Sequence, residues 1–274
     1  MDIRREDVAR AWAEQVRASQ EQVERLGETG EPADLYAPWA RRFALDPRRT
    51  DDPAVNALLA IARSDETWLD IGAGGGRYAL PLALHVRRVV AVEPSASMVA
   101  VLREGLAEHA IDEVEVIAAA WPVDRKVDAD VALLAHVGYD IPEFGTFLDA
   151  AEAVVRRVVV IMRTSGAARI DEVLWPHIHG EARRAYPMLP ELRELLAARG
   201  VEPEVSLIER GSWGYDSREQ LLAAARTLLH LRHGSAKDRR LEQLVAERAT
   251  ERDGSWAIAW TPMQDGVVSW EVPA

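Results

Sequence analysis

From residue 66 onward the hydrophobic period of the chain changes. TWLDI (67–71), RRVVAVEP (87–94), VEVIAA (114–119), DVALLAHV (130–137) and RRVVVIMRT (156–164) are short, apolar and rich in β-branched residues. Such runs belong to strands covered on both faces of a parallel sheet. RYALPLALHV and SASMVAVLREGLAEHA, which follow the first two, carry a helical pattern, and helix or loop separates the later strands. Strands alternating with helices require right-handed crossovers, so the sequence predicts a doubly wound, Rossmann-like α/β sheet.

The flanks read differently. Residues 2–27 repeat Val8, Trp12, Val16, Val23 and Leu26 near a 3.6 period, which predicts one long amphipathic helix. LYAPWARRFAL then places Tyr36, Trp39 and Phe43 at helical spacing, as an aromatic stripe suited to packing or to a lid over a site. Asp52 before Pro53 reads as the cap of a further helix. LPELRELLAARG is a helix, VEPEVSLIER a strand, and residues 217–250 two helices broken at HGSAKD. SWAIAW and GVVSWEV suggest a closing hairpin across TPMQDG. The expected organisation is a helical N-terminal extension over 1–50, a possible lid, and an α/β domain over 51–274 with a helical insertion at about 217–250.

Composition narrows the function. Cysteine is absent, which removes disulfides, thiolate metal sites and cysteine nucleophiles. Asp plus Glu number 45 against 33 Lys plus Arg, a net charge of −12 that disfavours nucleic acid and acidic membranes as partners. There is neither a signal-peptide core at the start nor a run of roughly 18 apolar residues, so a cytoplasmic protein is expected. His177 with His179, and His230 with His233, lack a third ligand at convincing spacing, so no metal site is expected.

The chemistry concentrates where the first strand ends. Glycines there let the backbone turn sharply and approach a ligand, and a following helix would aim its free N–H groups at it. Glu93 ends the second strand, where a carboxylate can accept hydrogen bonds from both hydroxyls of a ribose. Both features suit an adenosine-containing cofactor. A dinucleotide fingerprint starting at Gly72 is interrupted by Arg77, while one starting at Gly74 ends acceptably at Ala79. Asp70 discriminates better, because a carboxylate before the glycines sits badly beside a pyrophosphate and well beside an ammonium and a sulfonium.

LDIGAGGGRYALPLA and VVAVEPSASM resemble the first two motifs of class I S-adenosylmethionine-dependent methyltransferases, and the chain looks like the bacterial small-molecule enzymes of the type 11/12 kind. The resemblance implies a seven-stranded sheet whose last strand is antiparallel. It also implies that Asp70 faces the methionine part of the cofactor through the loop, and that Gly72, Ala73 and Gly74 lie along its amino-acid portion. Glu93 would hold the ribose, Pro94, Ser95 and Met98 would border the adenine, and Ala119, Ala120 and Trp121 would close over its edge. Asp124 comes later than the acidic residue often found in that loop. Ala135 and His136 would end the fourth strand next to the methyl-transfer centre.

A neutral His136 there would be placed to accept a proton from the acceptor, and Tyr139 and Asp140 to line its pocket. AHVGYD stands where amino-methylating relatives carry a DPPY or NPPY motif. A small organic acceptor is therefore expected, with a hydroxyl, amine or carboxyl nucleophile and S-adenosylhomocysteine as co-product. An NAD(P)-dependent oxidoreductase and a non-catalytic cofactor-binding module are the alternatives. The N-terminal helix is as well suited to a homodimer contact as to a lid.

Overall fold

The computed structural model describes residues 3–30, 34, 36–37, 40–166, 169–212 and 214–273. In chain order the elements are α1 (Ile3–Leu26), α2 (Pro53–Ile61), β1 (Thr67–Ile71), α3 (Ala79–Ala83), β2 (Arg88–Val92), α4 (Ala96–His109), β3 (Val114–Ile117), β4 (Val131–Ala135), α5 (Phe144–Glu152), β5 (Arg157–Arg163), α6 (Ile170–His179), α7 (Leu189–Ala198), β6 (Glu204–Arg210), α8 (Arg218–Leu228), α9 (Ala236–Arg248), β7 (Thr250–Arg252), β8 (Ser255–Ala257) and β9 (Met263–Glu271).

Seven strands form one sheet in the order β3-β2-β1-β4-β5-β9-β6. β1 through β5 run parallel to one another, and β9 runs antiparallel between β5 and β6. The chain order reverses between β1 and β4, so ligand chemistry is expected at the carboxyl ends of those strands. GVVSWEV is therefore a central strand, with Val268 opposite Val160 and Val205. The expected closing hairpin does not form. SWA pairs instead with Thr250–Arg252, and Trp256 also bridges Tyr215.

Strand alternation divides the core in two. Leu69, Ile71, Val90, Val92, Leu134 and Val160 face Trp12 and Val16 of α1, Phe144 and Leu148 of α5, and the leucines of α7. Trp68, Val89, Ala91, Leu133 and Ile161 face α2, α3 and α4. The N-terminal helix is thus part of the main core. Trp12 stacks on Phe144 with centroids 5.0 Å apart, and its indole N–H donates to the Ile141 carbonyl at 2.9 Å.

Beyond the sheet, α6, α8 and α9 bury Leu174, Trp175, Leu221, Leu241 and Leu244 together with Val23 at the end of α1. Helix α6 was not legible in the sequence, where the pattern thins after residue 165. RYALPLALHV, expected as a full helix, is helical only over Ala79–Ala83. Within LYAPWARRFAL the described residues include one tight helical turn, Ala40–Phe43, which holds Phe43 of the expected aromatic stripe.

Candidate functional site

The first strand delivers Asp70 to the carboxyl edge on the α2–α4 side of the sheet. The residue is buried, and neither carboxylate oxygen has a hydrogen-bond partner among the described residues. Burial, and then the charge of Glu93, push its pKa up to about 7. An orphaned buried carboxylate is costly unless something cationic completes it.

The glycine turn closes over this acid. Gly72 and Gly74 both adopt positive φ (75° and 55°). A Cβ on Gly72 would collide with Val137, whereas the space above Gly74 is open. Four of the loop's N–H groups are spent internally: those of Gly72 and Ala73 donate to the Val92 carbonyl, that of Gly74 to Glu93, and that of Gly76 to the Ala73 carbonyl. The Ala73 side chain is buried in the core. The expectation that the following helix aims free N–H groups at a ligand is therefore corrected. Helix α3 has only five residues and begins beyond the loop. Arg77, the residue that interrupts the dinucleotide pattern, is held with Arg49 by Asp52, the cap of α2.

Glu93 ends the second strand, and its two oxygens accept the N–H groups of Gly74 and Ser95, both at 2.8 Å. Each oxygen keeps a lone pair for a further donor. Ser95 caps α4 through the Met98 N–H and itself donates to Asp34. Asp34 also accepts the N–H groups of Ser97 and Tyr36, and these bonds hold its pKa down at about 2. This acid, which sequence reasoning did not single out, pins the N-terminal segment beside the Glu93 loop. Phe43 lies against Gly75 and, with Ala40, packs on Met98 and Val101, while Tyr36 meets the Phe43 ring edge-on. Met98 is thus buried under this segment. Trp39 lies outside the described residues.

At the end of β4 the chain turns through a left-handed residue, His136, with φ 60°. Its Nε2 accepts from Arg210 Nη1 at 3.1 Å, because a guanidinium only donates. The ring is therefore neutral with its proton on Nδ1, which donates to Tyr139 Oη at 3.1 Å. Burial, reinforced by Arg163, Arg210 and Arg77, drives its pKa well below 6.5. Expected as a proton acceptor, His136 has both nitrogens engaged, by Tyr139 and Arg210, and a low basicity. Tyr139 Oη also accepts the Arg163 backbone N–H at 2.9 Å. With two N–H donors on the oxygen, its own O–H is left to point elsewhere.

The remaining expected residues scatter around this edge. Ala135 is buried at the end of β4, and Ala120 and Asp140 are exposed. Half-buried Trp121 packs against the α1-side core, with its indole N–H enclosed and without a partner among the described residues. Pro94 is exposed beside Glu93. His177 contacts Arg248, His179 contacts the Leu229 carbonyl and Lys237, and His233 contacts Asp238.

Sequence reasoning missed Arg163, Arg169, Arg210, Tyr215 and Asp265. Arg163 ends β5 beside His136, and Arg169 precedes α6 and pairs with Asp171 at 2.8 Å. Arg210 ends β6 and pairs with Asp265 of β9 at 3.0 Å. Tyr36, Tyr139 and Tyr215 all lie within electrostatic reach of Arg163 and Arg169. One signal was available: a charged residue closing an apolar strand at its carboxyl end, as in RVVVIMR.

Comparison with known proteins places this geometry. Residues 69–157 match the family described as methyltransferase domain, a span that runs from β1 into β5. No curated protein matches the chain in sequence. Among solved structures, a protein of Bacillus halodurans C-125 provisionally named a methyltransferase shares 15% identity, with a TM-score of 0.55 over 81% of this chain and 99% of its own. The YcgJ protein of Bacillus subtilis shares 15% identity and a TM-score of 0.52 over 79% of this chain and 96% of its own. Both likenesses are of fold. The family match is confined to residues 69–157, and the two solved structures share the sheet architecture around it.

Proposed function

We propose that this methyltransferase domain binds S-adenosylmethionine across Asp70, the Gly72–Gly74 turn and Glu93, and that the chain methylates a small-molecule acceptor held at the ends of β4 and β5. The observation that carries this reading is Asp70. A buried carboxylate with two orphaned oxygens under a glycine turn fits a cationic ligand, and the cofactor's ammonium and sulfonium answer it. The open space above Gly74 and the spare lone pairs of Glu93 fit the amino-acid portion and the ribose. Ser95 and Met98, enclosed beneath Asp34 and Phe43, would act at the adenine end as a wall; Pro94, Ala120 and Trp121 would complete its rim.

Bound there, the cofactor supplies a methyl carbon activated by sulfonium, open to in-line displacement by a lone pair of the acceptor. The chain's own contribution is alignment. Asp70 and Glu93 fix two ends of the ligand, and the segment pinned by Asp34 brings Tyr36 and Phe43 over it. Tyr139, oriented by His136, offers an O–H donor to the acceptor. Neither His136 nor Tyr139 is arranged as a base, since burial lowers the pKa of the first and raises that of the second. That arrangement favours acceptors that react without a protein base. The surface charge of −12 and the enclosure by tyrosines favour a small molecule over a nucleic acid.

Titration calorimetry with S-adenosylhomocysteine tests the assignment. Asp70→Ala and Glu93→Ala are expected to lose binding while the far-ultraviolet circular dichroism stays that of the parent. Unchanged affinity in both would overturn it.

A further inference from the structure

We infer that the acceptor carries a carboxylate, and that the Arg163 guanidinium receives it; this rests on the methyl-transfer reading above. Three guanidiniums, those of Arg163, Arg169 and Arg210, converge at the ends of β5 and β6 and the start of α6. Only two carboxylates are paired with them. Asp171 takes Arg169 through two bonds of 2.8 and 2.9 Å, and Asp265 takes Arg210. Asp265 stands opposite Arg163 across the β5–β9 ladder, yet its Oδ2 is turned to Arg210.

Arg163 is the cation left over. Its guanidinium has no ion pair or hydrogen bond with any described residue, and its Nε is shut off from solvent. Burial and the neighbouring charge of Arg169 press its pKa down, an effect that Tyr139 and Asp265 only partly offset. A half-buried guanidinium with no bound counter-charge is a stability cost that a fold retains when a ligand supplies the missing charge. The planar fork matches a carboxylate, which can take two of its N–H groups at once.

The surroundings agree in chemistry and in place. The backbone N–H of Arg163 already donates to Tyr139, so the residue and the free Tyr139 O–H are fixed relative to each other. Together they offer charged and neutral donors side by side at the carboxyl end of β5. β5 pairs with β4, whose end adjoins the glycine turn through the contact of Val137 with Gly72. Tyr36 and Tyr215, from the N-terminal segment and the loop before α8, lie within electrostatic reach of the same arginines.

The test uses the full chain saturated with S-adenosylhomocysteine and a panel of hydroxy- and amino-carboxylates, each matched by its primary carboxamide. Binding is read by thermal shift and confirmed by calorimetry. Hits confined to carboxylates, weakened at least tenfold in Arg163→Met and partly kept in Arg163→Lys, are expected. The ligand-free Arg163→Met protein should unfold at a higher temperature than the parent, since a buried charge without a partner has been removed. Carboxamides binding as well as their acids, carboxylate binding undiminished in Arg163→Met, or no carboxylate binding by protein that holds S-adenosylhomocysteine would each overturn the inference. So would a lower melting temperature in the ligand-free variant, which would make Arg163 a structural partner of Asp265. Failure to hold S-adenosylhomocysteine at all would instead overturn the reading on which the inference rests.

Discussion

Asp70 carries an electrostatic liability in the free protein. An ordinary aspartate titrates near 3.8, and burial beside Glu93 moves this one to about 7. The folded chain therefore holds a proton that the unfolded chain has already released between those values. Its stability is fullest below about 4 and declines as the pH rises through 7, by at most about 4 kcal/mol. A cationic ligand reverses the preference, because it binds the ionised form. The affinity for S-adenosylhomocysteine is expected to rise roughly tenfold per pH unit from 5.5 to about 7 and then level off. Asp70→Asn should bind weakly with a flat profile, and calorimetry across that range checks both. A slope retained in Asp70→Asn would place the titrating group elsewhere.

At the scale of elements, the N-terminal segment acts through a few fixed points. Trp12 and Val16 seat α1 on α5 and the sheet, while Asp34 ties the following segment to the start of α4. Asp34→Ala removes an acceptor of three donors at the surface, a loss of about 1 kcal/mol of anchoring and roughly fivefold in cofactor affinity. Proteolysis between residues 28 and 44 should quicken in this variant while the unfolding midpoint barely moves. An affinity equal to the parent's would show that the segment does not help to close the site.

The same scale explains what the sequence could and could not reveal. β1, β2, β4 and β5 were legible because burial on both faces leaves nearly unbroken β-branched runs. Asp52 and Ser95 were legible as caps because capping is local. GVVSWEV was legible as a strand and not as a neighbour of RVVVIMR, because period-two alternation is indifferent to which strand lies alongside. Helix α6 was obscured by Pro176 and two histidines within ten residues, and only packing on α8 and α9 sustains it. Asp70 and Glu93 lie on adjacent strands, and their spacing placed them together. Arg163, Arg210 and Asp265 meet only once β9 inserts between β5 and β6, which no local pattern encodes. His136 was read from its position at a strand end. Its partner Arg210 is remote in sequence, and burial with the charges of Arg163, Arg210 and Arg77 lowers its basicity.

Over the whole molecule, one sheet presents two acids at one end and surplus arginine at the neighbouring strand ends. Tyr36, Tyr139 and Tyr215 lie within electrostatic reach of Arg163 and Arg169 at that edge. Among the described residues no helix is long and apolar enough to cross a membrane. The central claim is that the acidic pair under the glycine turn reads S-adenosylmethionine and not a dinucleotide. Thermal unfolding with S-adenosylhomocysteine, NAD and NADP in parallel tests it most directly. At one hundred times its dissociation constant a ligand adds about 2.7 kcal/mol, which for a chain of this length raises the midpoint by roughly 5–10 °C. A rise with S-adenosylhomocysteine alone is expected. A rise with either dinucleotide and none with S-adenosylhomocysteine would contradict the assignment of the site.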